Sequence, residues 1–261
     1  MITRIKAIYG PMGSGKTKKL IDDYHDSYLK DITKVFSPAR NTRDGEGKPK
    51  ERADLEKGIL GREIDAIKIK DLFEIDKHLK EFTKRILIDE TNFFESDHIE
   101  MGISLEELLN RRAQAMDYLE SLARQRKNIN IYGLNITAEK QPYGMMGHAL
   151  ALSISKEELK AQCVSCGDPA IYTYFIPFEK PTNVVGEHNY CAMCEFCHTE
   201  WGQRFQEGKE AQNLDDYYLA AVRLKPELEI MLEKGLIEEK DLPEWYKQHK
   251  EKGLELLRRK K

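Results

Sequence analysis

A glycine-rich stretch near the start of the chain constrains its fold more than any other feature. Residues 10–17 read GPMGSGKT, directly after the apolar run RIKAIY and directly before the helix-like KTKKLIDDYHDSYLK. A strand, the pattern G-x4-G-K-T and a helix in this order predict a P-loop, whose backbone N–H groups cradle phosphates. In such a loop Lys16 reaches the β- and γ-phosphate oxygens, and the Thr17 hydroxyl ligates Mg²⁺. The predicted phosphate-binding residues are Gly10, Pro11, Met12, Gly13, Ser14, Gly15, Lys16 and Thr17.

Strand-like runs and helical stretches alternate along the first half of the chain. Four further strand-like runs are KVFSP, IDAIKI, RILID and NINIYGL, and the amphipathic stretches include DLFEIDKHLKEF and SLEELLNRRAQAMDYLESLARQR. This alternation predicts an α/β fold of the P-loop (RecA-like) type, with a parallel sheet and helices on both faces. The polar segment NTRDGEGKPKERADLEKG is predicted to be a surface loop.

Length and composition predict the domain organisation. The chain has 261 residues, and all five cysteines lie between Cys163 and Cys197. We expect a P-loop domain over residues 1–155, a cysteine-rich module over 156–200 and a charged helical extension over 201–261. The net charge of −3 shows no basic excess for nucleic acid or a membrane surface. With no apolar run near the ~20 residues of a membrane span and no signal-peptide core, we expect a soluble cytoplasmic protein.

The run RILIDETNFF supplies a second half for the phosphate site. It predicts an apolar strand that ends at Asp89 and Glu90. In P-loop proteins a carboxylate at the end of a neighbouring strand helps to hold Mg²⁺, and Asp89 fits this role. Glu90 would then take a proton from the attacking group, with Lys16 as the second catalytic residue. The attacking group is a substrate hydroxyl in a kinase and water in an ATPase, and this pattern fits both.

The cysteines predict a metal site. CVSC contributes Cys163 and Cys166, and CAMCEFC contributes Cys191, Cys194 and Cys197. Two C-x2-C pairs form a tetrahedral thiolate site for structural Zn²⁺. Either Cys191 with Cys194 or Cys194 with Cys197 forms the second pair, and the histidines at 188 and 198 are alternative ligands. The long segment between the pairs is predicted to have a role of its own.

With these motifs assembled, the chain resembles the type II thymidine kinase family over about residues 3–200. The family's GPMFSGKS corresponds to GPMGSGKT, its IDEAQFF to IDETNFF and its GLDGTFQRKPFG to GLNITAEKQPYG. Its first zinc pair, followed by A-x-Y-T, corresponds to CVSCGDPAIYT. Its I-G-G-x3-Y-x3-C-x2-C segment corresponds to VVGEHNYCAMCEFC and matches Tyr190, Cys194 and Cys197. Five motifs in the same order are far more specific than any one of them.

The resemblance implies transfer of the ATP γ-phosphate to the 5′-hydroxyl of a deoxynucleoside, usually thymidine. It implies Mg²⁺ at Thr17 and Asp89, Glu90 as the base, and a lasso between the cysteine pairs that closes over the nucleoside. Arg43 matches an arginine that the family places near the phosphates, and members are commonly tetramers. The implied nucleoside contacts are Met12, Phe93, Leu134, Thr173 and Tyr190, and the implied zinc ligands are Cys163, Cys166, Cys194 and Cys197.

The chain differs from the family at positions that the family uses to recognise the base of the nucleoside. The family's Gln is Asn92, one lasso glycine is Val185, and the Asp, Gly and Phe of GLDGTF are Asn135, Ile136 and Ala138. Because the phosphoryl-transfer residues are kept, the resemblance implies a deoxynucleoside kinase of altered base specificity. The volume that the missing Phe leaves either admits a larger base or is filled by Tyr143 or Tyr132 from the same segment.

Two other functions compete with this interpretation. A nucleic-acid-stimulated ATPase would need a basic, aromatic face on the zinc module, and IYTYFIPFEK is aromatic but carries little positive charge. The second competing function is that of an inactive nucleotide-binding relative. Against it, the chain keeps the residues expected for phosphoryl transfer, which are Lys16, Thr17, Asp89 and Glu90. Nucleic acid is therefore not an expected partner, and self-association is.

Overall fold

The computed structural model divides the chain into two compact units, Met1–Lys160 and Ala161–Lys261. Within them the structure describes residues 5–25, 30–39, 63–95, 102–175, 190–210, 228–235, 238–239 and 242. The predicted surface loop with Arg43, most of the lasso with Val185, and His188 lie outside these ranges. The predicted domain boundaries near residues 155 and 200 stay predictions.

The first unit alternates strands and helices in the predicted way. Its elements are β1 (Ile5–Tyr9), α1 (Lys16–His25), β2 (Thr33–Pro38), β3 (Ile67–Ile69), β4 (Arg85–Ile88), α2 (Leu105–Arg124), β5 (Asn128–Gly133), α3 (Gly144–Leu152) and β6 (Ser155–Glu158). Short 3-10 helices cover Lys30–Ile32, Leu72–His78 and Thr91–Phe93. Leu72–His78 lies in one of the stretches with a helical pattern, and Asp71 caps it by accepting a hydrogen bond from the Glu74 backbone N–H.

The strands form one six-stranded sheet in the order β3-β2-β4-β5-β1-β6, and every pair is parallel. The predicted parallel sheet is confirmed. One detail of the expectation is wrong: β4, which ends just before Asp89, is not the immediate neighbour of the P-loop strand β1. The strand β5 lies between them, with Ile8 beside Tyr132 and Ile88 beside Ile131.

Alternating side chains place helices on both faces of the sheet. On one face Ala7, Ile88 and Ile131 pack in a buried cluster with Met116 and Leu119 of α2. On the other face Ile8, Leu87 and Tyr132 pack with Leu20 and Ile21 of α1. Because both faces are covered, the strands read as nearly continuous apolar runs, as a buried parallel sheet requires. The predicted helices on both faces are confirmed.

The second unit is built from short ribbons and helix. Its elements are β7 (Ala161–Gln162), β8 (Pro169–Ala170), β9 (Tyr172–Phe175), β10 (Tyr190–Met193) and α4 (Glu195–Glu210), and residues 228–233 are also helical. Two antiparallel pairs, β7–β8 and β9–β10, form its sheets. Its core joins Tyr174 and Trp201 to Leu228, Met231 and Leu242. The C-terminal segment therefore contributes side chains to the core of the cysteine-rich unit.

Membrane-spanning character is not found in the described part of the chain. No helix there is both long enough and apolar enough to cross a bilayer.

Candidate active site and metal centre

The P-loop connects β1 to α1 and holds its lysine against its own backbone. The Lys16 Nζ donates hydrogen bonds to the carbonyl oxygens of Gly10 at 3.0 Å and Pro11 at 2.8 Å. Lys16 is only 8% exposed, so its charge is confined to the loop. This arrangement keeps a cation beside the backbone N–H groups that the motif uses for phosphate.

Gly10 and Gly15 satisfy two different backbone requirements of this loop. A Cβ on Gly10 would lie 2.0 Å from the Leu159 carbonyl oxygen, so only glycine fits under the chain that leaves β6. The Leu159 N–H donates to the Tyr9 carbonyl at 2.7 Å, which holds that chain in place. Gly15 has φ +85°, a left-handed conformation that other residues adopt at a cost. The glycine pattern is thus required by the loop's shape.

The predicted acidic pair lies at the end of β4. Asp89 is buried, and its N–H donates to the Phe36 carbonyl at 2.8 Å, which extends the pairing with β2. Glu90 has φ 45° and ψ 44°, a left-handed conformation that is uncommon for a residue with a side chain. The 3-10 turn holds it, because the Phe93 N–H donates to the Glu90 carbonyl and the Thr91 hydroxyl donates to the Ile88 carbonyl. Strained backbone of this kind concentrates at functional sites.

Asn92 joins the acidic turn to the end of β5. Its side chain is fully buried, and its Oδ1 accepts a hydrogen bond from the Leu134 N–H at 2.9 Å. Phe93 and Leu134, both predicted to contact the nucleoside, are therefore held on two segments that a single side chain connects. Sequence comparison showed Asn92 only as a departure from the family. Its bonding role depends on which strand lies next to β4, and that was not predicted.

A tyrosine lies against the predicted base-contacting phenylalanine. The rings of Phe93 and Tyr143 meet edge to face, with centroids 5.8 Å apart. Tyr143 comes at the end of a loop in which Ile136 and Pro142 form an antiparallel bridge and Ala138 lies within a tight turn. Tyr132, the other candidate to replace the missing Phe, is fully buried and its hydroxyl bonds to Asp23 of α1. Tyr143 is therefore the candidate that the contacts favour.

Four cysteines come together in the second unit. The sulfur atoms of Cys163, Cys166, Cys194 and Cys197 all lie within 4.8 Å of one another. The Cys166 and Cys194 sulfurs are 3.7 Å apart. A tetrahedron with zinc–sulfur bonds of about 2.3 Å has sulfurs about 3.8 Å apart, so this spacing fits zinc. The turn between β7 and β8 supplies the first pair, and the start of α4 supplies the second.

The thiols differ in their tendency to ionise. Burial acts to raise the pKa of Cys163, but hydrogen bonds from the backbone N–H groups of Cys166, Cys194 and Ser165 lower it to about 7. Burial raises the pKa of Cys197 to about 12 without a metal. A bound cation would favour both thiolates, because metal ligands must be deprotonated.

Cys191 is the cysteine outside this cluster. It lies on β10, is 5% exposed, and burial raises its pKa to about 12. The geometry thus separates the two pairings that the sequence spacing left open and favours Cys194 with Cys197.

The remaining predicted nucleoside contacts lie on the ribbon of the second unit. Thr173 is buried on β9, and Tyr190 begins β10, where it pairs with Phe175. Met12 lies in the P-loop and is partly buried. The roles assigned to these residues stay predictions.

The comparison with known proteins identifies the family. The thymidine kinase family model matches residues 3–198. The chain belongs to the thymidine kinase family. The thymidine kinase of Mycoplasma mobile is 28% identical over 198 residues, which span 75% of this chain and 87% of that protein. The thymidine kinases of Chloroflexus aurantiacus and Pseudothermotoga lettingae are each 28% identical and are covered over 94% and 97% of their lengths.

Membership of the thymidine kinase family supports a kinase that phosphorylates a nucleoside, with ATP and Mg²⁺ as the implied phosphate donor and cofactor. At this identity the chain is a divergent member. The match ends at residue 198, so the segment that packs Leu228 and Met231 against Trp201 lies beyond the part shared with the family.

Proposed function

We propose that the protein phosphorylates the 5′-hydroxyl of a deoxynucleoside with ATP, with a weaker preference for thymidine than the family's name suggests. The observation that carries this proposal is the placement of the P-loop after β1 and of Asp89 and Glu90 after β4. Both strands belong to one parallel sheet, whose carboxyl ends meet at one edge. Ligands of such sheets bind at that edge.

The P-loop would bind the triphosphate. Its N–H groups and Lys16 would neutralise the β- and γ-phosphates, and positioning with charge stabilisation would supply most of the rate enhancement. Thr17 is the second residue of α1 and Asp89 is a buried carboxylate, so both offer the hard oxygen atoms that Mg²⁺ prefers. Mg²⁺ held there would offset the charge that develops on the transferred phosphoryl group.

Glu90 would accept the proton of the 5′-hydroxyl as that oxygen attacks the γ-phosphorus. A general base must be aimed at the group it deprotonates, and the left-handed backbone at Glu90 fixes the direction in which its side chain leaves the chain. Phe93 follows three residues later on the same 3-10 turn, so one short segment would carry both the base and a nucleoside contact.

The nucleoside contacts proposed in the first unit are Met12, Phe93 and Leu134. Family resemblance adds Thr173 and Tyr190 from the ribbon of the second unit. The edge-to-face contact between the Phe93 and Tyr143 rings supports Tyr143 as the aromatic residue that takes the place of the Phe missing at Ala138. A tyrosine adds a hydroxyl that can donate or accept a hydrogen bond, and this supports a changed base preference.

The test is to incubate the purified protein with ATP, Mg²⁺ and each of the four deoxynucleosides, and to measure the monophosphate formed. We expect phosphorylation of thymidine and of at least one other deoxynucleoside, and loss of both with Lys16→Ala. ATP hydrolysis at the same rate with and without every acceptor would contradict the kinase and support an ATPase. Sedimentation of the same sample tests the tetramer that the family resemblance implies.

A further inference from the structure

A buried carboxylate lies on the helix that follows the P-loop. Asp23 belongs to α1, about two turns from Lys16, and is 8% exposed. Its Oδ2 accepts a hydrogen bond from the Tyr132 hydroxyl at 2.6 Å, and its Oδ1 accepts one from Lys19 Nζ at 2.9 Å. The first of these bonds joins α1 to β5, the strand beside the P-loop strand.

Arg85 and Asn130 complete this group. Arg85 opens β4, donates to the Asp23 carbonyl oxygen, and places a second guanidinium nitrogen 3.9 Å from Oδ1. The Asn130 side chain donates to the Tyr132 hydroxyl oxygen at 3.4 Å. Asp23 therefore bonds to two adjacent strands of the sheet and to its own helix.

The protonation states suit these bonds. Burial raises the pKa of Tyr132 and the bond to Asp23 raises it further, so the hydroxyl remains a donor at neutral pH.

Stability alone does not account for a carboxylate at this position. Leu20 and Ile21 already bury the apolar face of α1, and both are fully buried. A hydrophobic residue of similar volume in place of a buried ion pair is often neutral or stabilising. Hydrogen bonds have preferred directions, so they add to the apolar packing a further constraint on the rotation of the helix about its axis. The Asp23 bonds thus specify one rotation of α1.

We propose that Asp23 and Tyr132 are positioning residues that fix the rotation of α1 and, through it, the placement of Lys16 and Thr17 toward the bound nucleotide. Lys16 and Thr17 are the first two residues of α1, so they move with the helix. The inference rests on the proposed function, because it assumes that these two residues bind the phosphates and Mg²⁺.

The test compares Tyr132→Phe with Tyr118→Phe. Each change removes one tyrosine hydroxyl, and Tyr118 packs on the α2 face of the sheet, away from α1. For Tyr132→Phe we expect kcat/KM for ATP to fall by roughly 10- to 100-fold, the scale of a small misplacement of reacting groups. We expect the KM for the deoxynucleoside to stay within about twofold, and Tyr118→Phe to keep both constants unchanged.

Two outcomes would overturn the inference. One is a Tyr132→Phe protein with a lower melting temperature but unchanged constants for ATP, since that pattern describes a purely structural bond. The other is an equal loss in Tyr118→Phe. If Tyr132→Phe fails to fold, Lys19→Met is measured in its place, because Lys19 is partly exposed and its loss is easier to tolerate. We then expect a KM for ATP about twice that of the parent, since the variant loses one ion pair to Asp23. An unchanged KM for ATP would contradict the inference.

Binding of a non-hydrolysable ATP analogue separates this inference from the proposed function. A parent protein that binds the analogue but phosphorylates no deoxynucleoside would contradict the proposed function alone. In that case weaker analogue binding by Tyr132→Phe, with normal binding by Tyr118→Phe, would still support the positioning role.

Discussion

The two units reach a folded state by different means. The first buries apolar side chains on both faces of a six-stranded sheet, and the ends of its strands hold the residues of the predicted phosphate site. Among the described residues of the second unit the sheets are two-stranded, and its buried cluster includes Cys163, Cys191 and Cys197. Isolated two-stranded ribbons are marginally stable in water. From this contrast we expect that packing organises the first unit and that a metal bound by the cysteines contributes much of the stability of the second.

The largest effect is expected from removing a zinc ligand. Four thiolates with this geometry should bind one Zn²⁺ per chain, and such sites contribute on the order of 10 kcal/mol of apparent binding energy to local folding. Cys194→Ser should therefore lose the metal, unfold the second unit and abolish nucleoside binding, while the first unit stays folded. Metal analysis and limited proteolysis measure both effects.

Cys191→Ser is the matched control for this prediction. Cys191 is buried but lies outside the four-sulfur cluster, so its variant should keep one zinc per chain. Protein purified without chelators that contains no zinc would contradict the metal site, as would equal loss of zinc in both serine variants.

The second effect concerns chemistry in the first unit. Glu90→Gln keeps the size of the side chain but removes its ability to accept a proton. We expect turnover to fall by roughly 10²- to 10⁴-fold, the usual contribution of a general base, with ATP binding nearly unchanged. Lys16→Ala should instead weaken phosphate binding and turnover together. Phosphorylation by Glu90→Gln at the parent rate would show that another group takes the proton.

The third effect compares two buried methionines. Met116 of α2 and Met231 of the C-terminal segment are both 0% exposed, and a buried Met→Ala change costs about 2–5 kcal/mol. Met231→Ala should destabilise the second unit, and Met116→Ala the first. Hydrogen exchange, measured separately for peptides of each unit, shows which unit opens. Faster exchange in the first unit of Met231→Ala would contradict the division into two independently stabilised units.

The strands of the first unit could be predicted from the sequence because the sheet that they form is buried on both faces. Five strands appear as apolar, β-branched runs, and each lies at its predicted place. The sixth, β6, was missed because SKEE is polar and lies at the edge of the sheet beside β1. The chain that leaves β6 covers Gly10. This contact joins residues far apart in the sequence, so no local sequence pattern predicts it.

The hydrogen bonds within the site were harder to predict from the sequence than the residues that form the site. Spacing predicted Lys16, Asp89 and Glu90 and left two choices for the second cysteine pair, because phosphate loops and metal sites require particular residues at fixed intervals; the family resemblance implied Cys194 with Cys197. The roles of Asn92 and Asp23 depend on strand order, since Asp23 bonds to β5 and Asn92 bonds to Leu134, the residue that follows β5. The sequence did not show that β5 separates β1 from β4. Side chains alternate between the two faces of a strand, so NINIYGL places Tyr132 on the opposite face of the sheet from Ile131. This pattern could have been used to argue against Tyr132 as a base contact.

The smallest effect concerns the base. Stacking of an aromatic ring on a base is worth about 1–3 kcal/mol, and each ~1.4 kcal/mol is tenfold in affinity. If the volume at Ala138 is empty, restoring the missing ring with Ala138→Phe should raise the preference for thymidine over the other deoxynucleosides by about tenfold. Tyr143→Leu, which removes the ring that packs against Phe93, should weaken binding of every deoxynucleoside by a similar factor. Values of kcat/KM for thymidine, deoxycytidine and the purine deoxynucleosides measure both changes.

The pair of variants separates two explanations of specificity. If Tyr143 has taken over the stacking role, Ala138→Phe alone changes little and Ala138→Phe combined with Tyr143→Leu recovers the lost binding. If the volume at Ala138 is empty, the Phe variant alone gains affinity for thymidine and loses it for the larger purines. Exclusive use of thymidine by the parent protein, unchanged in every variant, would show that neither position sets the base preference. The tight turn between Thr137 and Lys140 holds Ala138 in either case, so the outcome depends on the side chain alone.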